Sequence, residues 1–494
     1  MKKYIFYLAA LISVTTVSCR KIETDGEPII IEVPGSGGTT TGQTIYLKGR
    51  INADTLLRKE NTYILQGLVY MVGNHTMTIQ PGTTVKGSYS GTDVAALIIT
   101  RGSKLVASGT SDNPIIFTSS SPNPQSGDWG GIVLCGKAPI NSSFQGTAGL
   151  YQVEGGIDNS YGDGLAGSGD ATVPSPVATD SSGVLQYIRI EYAGYAFQPD
   201  KEINSLTMAG VGNKTVIDHI QTIYAKDDAF EWFGGTVNCK FLIAYKTLDD
   251  DFDTDLGFSG KVQFGLIMRD SLLADGSRSE AFESDNDAQG TNATPKTTAI
   301  FSNVTAIGPR ATTSNVGNGL FRGAAHIRRN TGISIFNTII MGWPVGIEID
   351  ATLGTSTALN IEDSTIRLRN ITISGTAVNT KFSGTAGATI TTDAAFAAWF
   401  TNSYYNNDII ANNTDVRLIQ PFNYSTPDPT PFAAGNGNAK VLTGGGFTDP
   451  KFNGDSFFDK VLPEDPTKPL TFRGAVAPSG PLSTWWKGWT RFGN

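Results

Sequence analysis

From Thr44 onward the chain alternates apolar and polar residues in short runs, with almost no three-to-four spacing of an amphipathic helix between them. Met77–Val85, Ala96–Thr100, Lys104–Gly109, Pro114–Thr118 and Leu185–Tyr192 are early runs. Val216–Tyr224, Phe241–Tyr245, Val262–Ile267, Ala299–Ile307 and Ile333–Ile340 follow. Each is short and rich in β-branched side chains, so each predicts a strand.

A sandwich, a propeller or a solenoid could hold such a string. Three segments decide between them: Asp228-Ala-Phe230-Glu231, Asp250-Asp-Phe252-Asp253 and Glu280-Ala-Phe282-Glu283. Their Phe residues lie 22 and 30 residues apart. A period of that size with variable insertions is the mark of stacked coils, whereas propeller blades repeat at about 40–45 residues. The pattern predicts an all-β chain, a right-handed parallel β-helix over residues 44–375.

One helix is predicted, Thr392–Phe400, with Thr391 or Thr392 as its N-cap. Residues 376–494 are expected to form a C-terminal excursion and cap, because the end coils of a solenoid expose strand edges and core. At the other end, Met1-Lys-Lys precedes an apolar run, Tyr4–Val17, then Ser18 and Cys19. This order predicts a lipoprotein signal peptide over 1–18 with Cys19 as the lipidated residue. An ordinary secretory leader is the alternative, since Thr16 stands where Leu is usual. Residues 19–43 include Gly35-Ser-Gly-Gly-Thr-Thr-Thr-Gly42 and read as a flexible, lipid-anchored tether.

Composition sharpens this picture. Glycine is 57 of 494 residues, above the usual share of about 7%, as a chain of many tight turns requires. Net charge is −8 and no basic patch stands out, which excludes nucleic acid as the expected partner. Cys135 and Cys239 sit among apolar neighbours and are expected to be buried thiols. His75, His219 and His326 are far apart in sequence, so a histidine-based zinc site is not expected.

Longer stretches carry a resemblance: Gly127–Ile140, Val153-Glu-Gly-Gly156, Leu185–Phe197, Asp227–Gly265, Phe282–Asp287, Thr471–Ala475 and Trp489–Phe492. Over these the chain resembles a family of exported β-helix lipoproteins common in Bacteroidota. The resemblance implies the fold and a place in the cell envelope. It implies no reaction and no catalytic residue.

Alternate residues of a strand face opposite ways. If Phe230, Phe252 and Phe282 point inward, Glu231, Asp253 and Glu283 point out and stack at about 4.8 Å. Asp228, Asp250 and Glu280 form a second matching set, with Asp251, Asp255 and Asp285 beside the column. Neighbouring carboxylates repel by about 1 kcal/mol per pair in water, and more where partly buried. Protonation, nearby Lys or Arg side chains, or a cation must offset this. Calcium, with six to eight oxygen ligands, suits such a cluster. The expected ligands are Glu231, Asp251, Asp253, Asp255, Glu283 and Asp285. Asp251–Gly257 resembles the start of an EF-hand loop but has Leu256 in place of Gly and Val262 in place of Glu. A solvated acidic face is the alternative.

Trp232, Asp228, Asp250 and Glu280 are the expected ligand contacts, Trp232 because an exposed indole stacks on sugar rings. Trp485, Trp486 and Trp489 are expected to close a core. β-Helices host polysaccharide lyases and glycoside hydrolases, but fold alone does not carry function. Here Lys226-Asp-Asp228 stands without the Gly-His-Gly and Arg-Ile-Lys that complete a polygalacturonase set. The sequence therefore favours an outer-membrane lipoprotein that binds or displays, with a glycan or an outer-membrane protein as partner. A calcium-dependent lyase or hydrolase is the alternative, a purely structural module the third, and no catalytic residue is named.

Overall fold

A computed structural model describes residues 42–493, apart from 92–93, 199–200, 316, 388 and 434–438. The expected leader, the lipidated Cys19 and the tether up to residue 41 lie outside the described residues. The apolar alternation becomes one ladder of parallel strands wound into a three-sided β-helix. The acidic face stacks Ile132–Cys135, Leu206–Ala209, Phe230–Phe233, Phe252–Asp255, Ser279–Ser284, Phe321–Ile327 and Val345–Ala351.

The other two faces are joined across one corner by long strands such as Val216–Ile223, Asn238–Tyr245 and Lys261–Met268. One residue per strand turns that corner in the left-handed region: His219, Phe241 and Phe264, with φ of 55°, 58° and 64°. These residues drop out of the ladder register and stack outside it. Tyr187, His219, Phe241 and Phe264 are 4.3, 4.4 and 4.9 Å apart between successive ring centres. Further along, Asn303, Asn337, Asn370 and Asn406 take the same corner, and Asn tolerates that backbone best after Gly. Asn370 donates to Asn337 and Asn406 to Asn370, each at 3.0 Å.

The axis is filled by a continuous apolar core. Phe230, Phe252 and Phe282 are each fully buried, in register, and 5.8 and 5.7 Å apart. Cys135 and Cys239 are buried free thiols. The ladder runs past residue 375, through Val378–Gly384 and Asp408–Ile410. Helix Asp393–Phe400 forms as its sequence predicts, with Thr392 Oγ1 accepting from the Ala395 N–H at 3.1 Å. It inserts Phe396 and Phe400 into the end of the axial core.

The last residues do something else. They run back along the outside, where Leu470, Phe472, Trp485, Trp486 and Trp489 pack on Ile223, Ile243, Tyr245 and Phe264. The C-terminal tryptophans thus close a core, but a lateral one rather than the end of the solenoid. Trp489 sits 5.7 Å from both Tyr187 and His219, edge-on to the corner stack. Arg491 hydrogen-bonds Glu191 and Tyr192 from 300 and 299 residues away.

Candidate functional site

The ladder brings the predicted column together. Glu231 pairs with Asp253, Asp253 with Glu283, Glu283 with His326, His326 with Glu348 and Glu348 with Lys381. Six consecutive rungs therefore present one ionisable residue each at the same position, beside an inward residue that is Phe in the first three and Ala325, Ile347 and Thr380 in the rest.

Asp228 and Asp250 stand at the corner preceding this face, and Glu280 at the start of its Ser279–Ser284 strand. The Asp250 N–H donates to Asp228 Oδ1 at 2.9 Å, and the Glu280 N–H donates to Asp250 Oδ1 at 2.6 Å. Each Asp thus ties the next coil with one oxygen. Asn204 donates to Glu231 from the rung below.

Between the column and the corner lies a cavity of about 190 Å³. Nine carboxylates line it, against the guanidiniums of Arg278 and Arg328. Two come from insertions outside the repeat: Glu154, beside the hairpin of Leu150–Gln152 and Leu165–Gly167, and Glu202, on the short strand Lys201–Glu202. Burial, followed by mutual repulsion, pushes Asp227, Asp228, Glu231, Asp250 and Asp253 well above the usual carboxylate range. Burial raises Asp249 to about 7 and Asp255 to about 8. Asp253 Oδ1 is buried without a hydrogen-bond partner. Carboxylate oxygens of Asp228, Glu231 and Asp253 lie within 4.8 Å of one another. That is about the diameter of a calcium coordination shell.

A family model for pectate-lyase-like β-helix domains matches residues 49–417. The chain belongs to that family. No curated protein and no solved structure matches the chain.

Within the pectate-lyase-like domain, several expected site residues take other roles. Trp232 does not face a ligand. It lies two positions after Phe230, so the strand alternation turns it inward, where it is fully buried and stacks on Phe258 at 5.3 Å. Asp251 is also fully buried and receives Arg269 Nη1 at 3.0 Å, inside the corner rather than on the column. Burial still raises it to about 6 against the pull of Arg269. Asp285 is neutralised by Arg328 at 2.8 Å and Arg329 at 2.7 Å. Asp255 accepts the Leu256 N–H and stands beside Asp285 at the far side of the strand. Glu283 is held by Arg328 through one oxygen and faces His326 with the other, so the residues left to hold a cation are Asp228, Glu231 and Asp253, with Asp250 behind them.

Sequence reasoning missed Asn204, Glu154, Glu202 and Arg328, and found no zinc site in the spacing of His326 from the other histidines. Glu154 lay in the resembling Val153–Gly156 stretch. The others carried no local signal: Glu202 comes from an insertion, and Asn204 and Arg328 from the ends of neighbouring rungs.

Proposed function

We propose that this is a cell-envelope lipoprotein, anchored through Cys19 to the outer membrane, whose acidic cleft binds calcium and through it an anionic glycan. The observation that carries the reading is the in-register pair Glu231–Asp253 beside Asp228, their carboxylate oxygens held at coordination distance, with an orphaned Asp253 oxygen. A cleft this acidic repels a polyanion unless a cation intervenes. Calcium accepts oxygens from protein and ligand together in flexible geometry, and magnesium does not.

Calorimetric titration tests it: wild type binds calcium in preference to magnesium, and Asp253→Asn weakens that binding at least tenfold. Immobilised uronic-acid polymers retain the protein in calcium and release it in chelator. Absence of calcium binding would leave the column as a protonated, solvated acidic face. Conversion of Cys19 to Ala releases the protein from membranes if the anchor is correct.

A calcium-dependent lyase is the second reading, favoured by Arg278 and Arg328 in the same cleft. Arg328 is occupied by Glu283 and Asp285, which hold its proton more firmly than usual and oppose a role as base. Arg278 is exposed at the rim and is the residue to replace. Unsaturated products from polyuronates, lost in Arg278→Ala, would establish this reading over simple binding.

A further inference from the structure

The column does not end at Glu283. The next rung places His326 opposite it, fully enclosed at 2% exposure. Its Nε2 lies 3.0 Å from Asp350. Its Nδ1 faces Glu280 Oε1 at 3.5 Å and Glu283 Oε2 at 3.7 Å, and makes no hydrogen bond among the described residues. Glu280, 1% exposed, likewise keeps Oε2 buried and unpartnered. Arg328 holds the other oxygen of Glu283. Arg322 turns to Glu348 at 3.1 Å and Asp350 at 3.4 Å, and is 3.7 Å from Glu280 Oε1.

We infer that Glu280, Glu283 and His326 Nδ1 form a transition-metal site, with zinc as its fitting ion, adjoining the cleft but distinct in chemistry from its oxygen-only calcium cup. One observation independent of the acidic clustering points to it: the buried imidazole Nδ1, which faces both glutamates without a hydrogen bond. The spacing supports the ion. Ligands bound to zinc at ~2.1 Å in a tetrahedron lie about 3.4 Å apart, close to the 3.5 and 3.7 Å seen here. An imidazole suits zinc and its neighbours, whereas calcium prefers oxygen. Asp350 on Nε2 supplies the carboxylate behind the histidine that fixes the ring and its tautomer in metal sites. Arg322, Lys381, Arg328 and Arg329 pair with Glu348, Asp350, Asp285 and one oxygen of Glu283, which leaves Glu280 and the second Glu283 oxygen to the ion. Glu283 also lines the cleft, so an ion enters there and a water completes the tetrahedron.

The test uses the folded full chain in calcium-saturated buffer, with zinc chloride and cobalt chloride as probes. Zinc binds at one equivalent per chain, and cobalt gives the intense visible bands of a tetrahedral ion. His326→Ala abolishes both. Asp350→Asn, a positioning change, lowers zinc affinity about 10–100-fold while the cobalt bands persist at saturation. Asp253→Asn leaves zinc binding intact, which separates this site from the calcium reading. Should His326→Ala fail to fold, the wild-type cobalt spectrum still decides. No zinc uptake, an octahedral cobalt spectrum, or unchanged zinc affinity in folded His326→Ala overturns the site.

Discussion

Single residues in this protein are held far from their ordinary ionisation, and that has measurable consequences. Asp249 and Asp255, raised to about 7 and 8 by burial, bind protons more tightly folded than unfolded. Their contribution to stability is complete below the ordinary value of 3.8 and is lost as pH rises through the raised values. His326 acts in the same sense. Burial opposes its charge, but Asp350, Glu280 and Glu283 raise it to about 10, so its contribution fades between its ordinary 6.5 and 10. Glu283 and Glu348 are held below the usual range against burial, chiefly by His326 and Arg322 respectively, so their contributions are lost only in acid. In chelator, the melting temperature should therefore fall steadily from about pH 4 to pH 8. Calcium should flatten that fall, because at Asp228, Glu231 and Asp253, which burial also raises, it replaces the protons. The Asp251–Arg269 pair behaves differently, since both side chains are fully enclosed. Asp251→Ala leaves a buried guanidinium without its partner and should cost about 3–5 kcal/mol in urea unfolding.

Elements owe their register to what sits at their corners. The corner asparagines each fill a left-handed position and bond the coil above or below. Asn337 gives to Ser302 at 3.0 Å and accepts from Asn370 at 3.0 Å and the Gly446 N–H at 2.9 Å. Asn337→Ala keeps the strained backbone and orphans three partners, so a loss of about 2–4 kcal/mol is expected, read by thermal melting. How far sequence revealed these elements depended on whether a rung kept the repeat. Phe230, Phe252 and Phe282 were legible because each preserves its spacing from a neighbouring acid. The next rung has Ala325 and His326 where Phe and Glu would stand, and its register shifts at Ser279/Glu280, so the column seemed to stop. Trp232 was misplaced as an exposed ring although the alternation that put Glu231 outside required it inside. Asp251 and Asp285 were legible as acidic but not as paired, because Arg269 and Arg328 come from other strands.

At the scale of the whole molecule the chain is a ladder with a belt. The ladder follows from local patterning, but the lateral packing of the C-terminal segment joins residues 300 apart and leaves no periodic trace. Trp489 is fully buried in that packing, and Trp489→Ala should cost about 3–5 kcal/mol. Dye binding to newly uncovered apolar surface would check the same substitution, since the rings of Tyr187, His219 and Phe241 lie beneath.

The belt also sets an order of events. A chain made from its N-terminus can wind its early coils as soon as each neighbour emerges, since every rung touches only the next. The aromatic stripe along their corner stays bare until the final residues arrive. Any product shortened by a late stop or a proteolytic nick would carry a finished spindle with a sticky seam. Quality control that senses exposed rings would then reject incomplete copies even though nearly all of the strand pairing had formed.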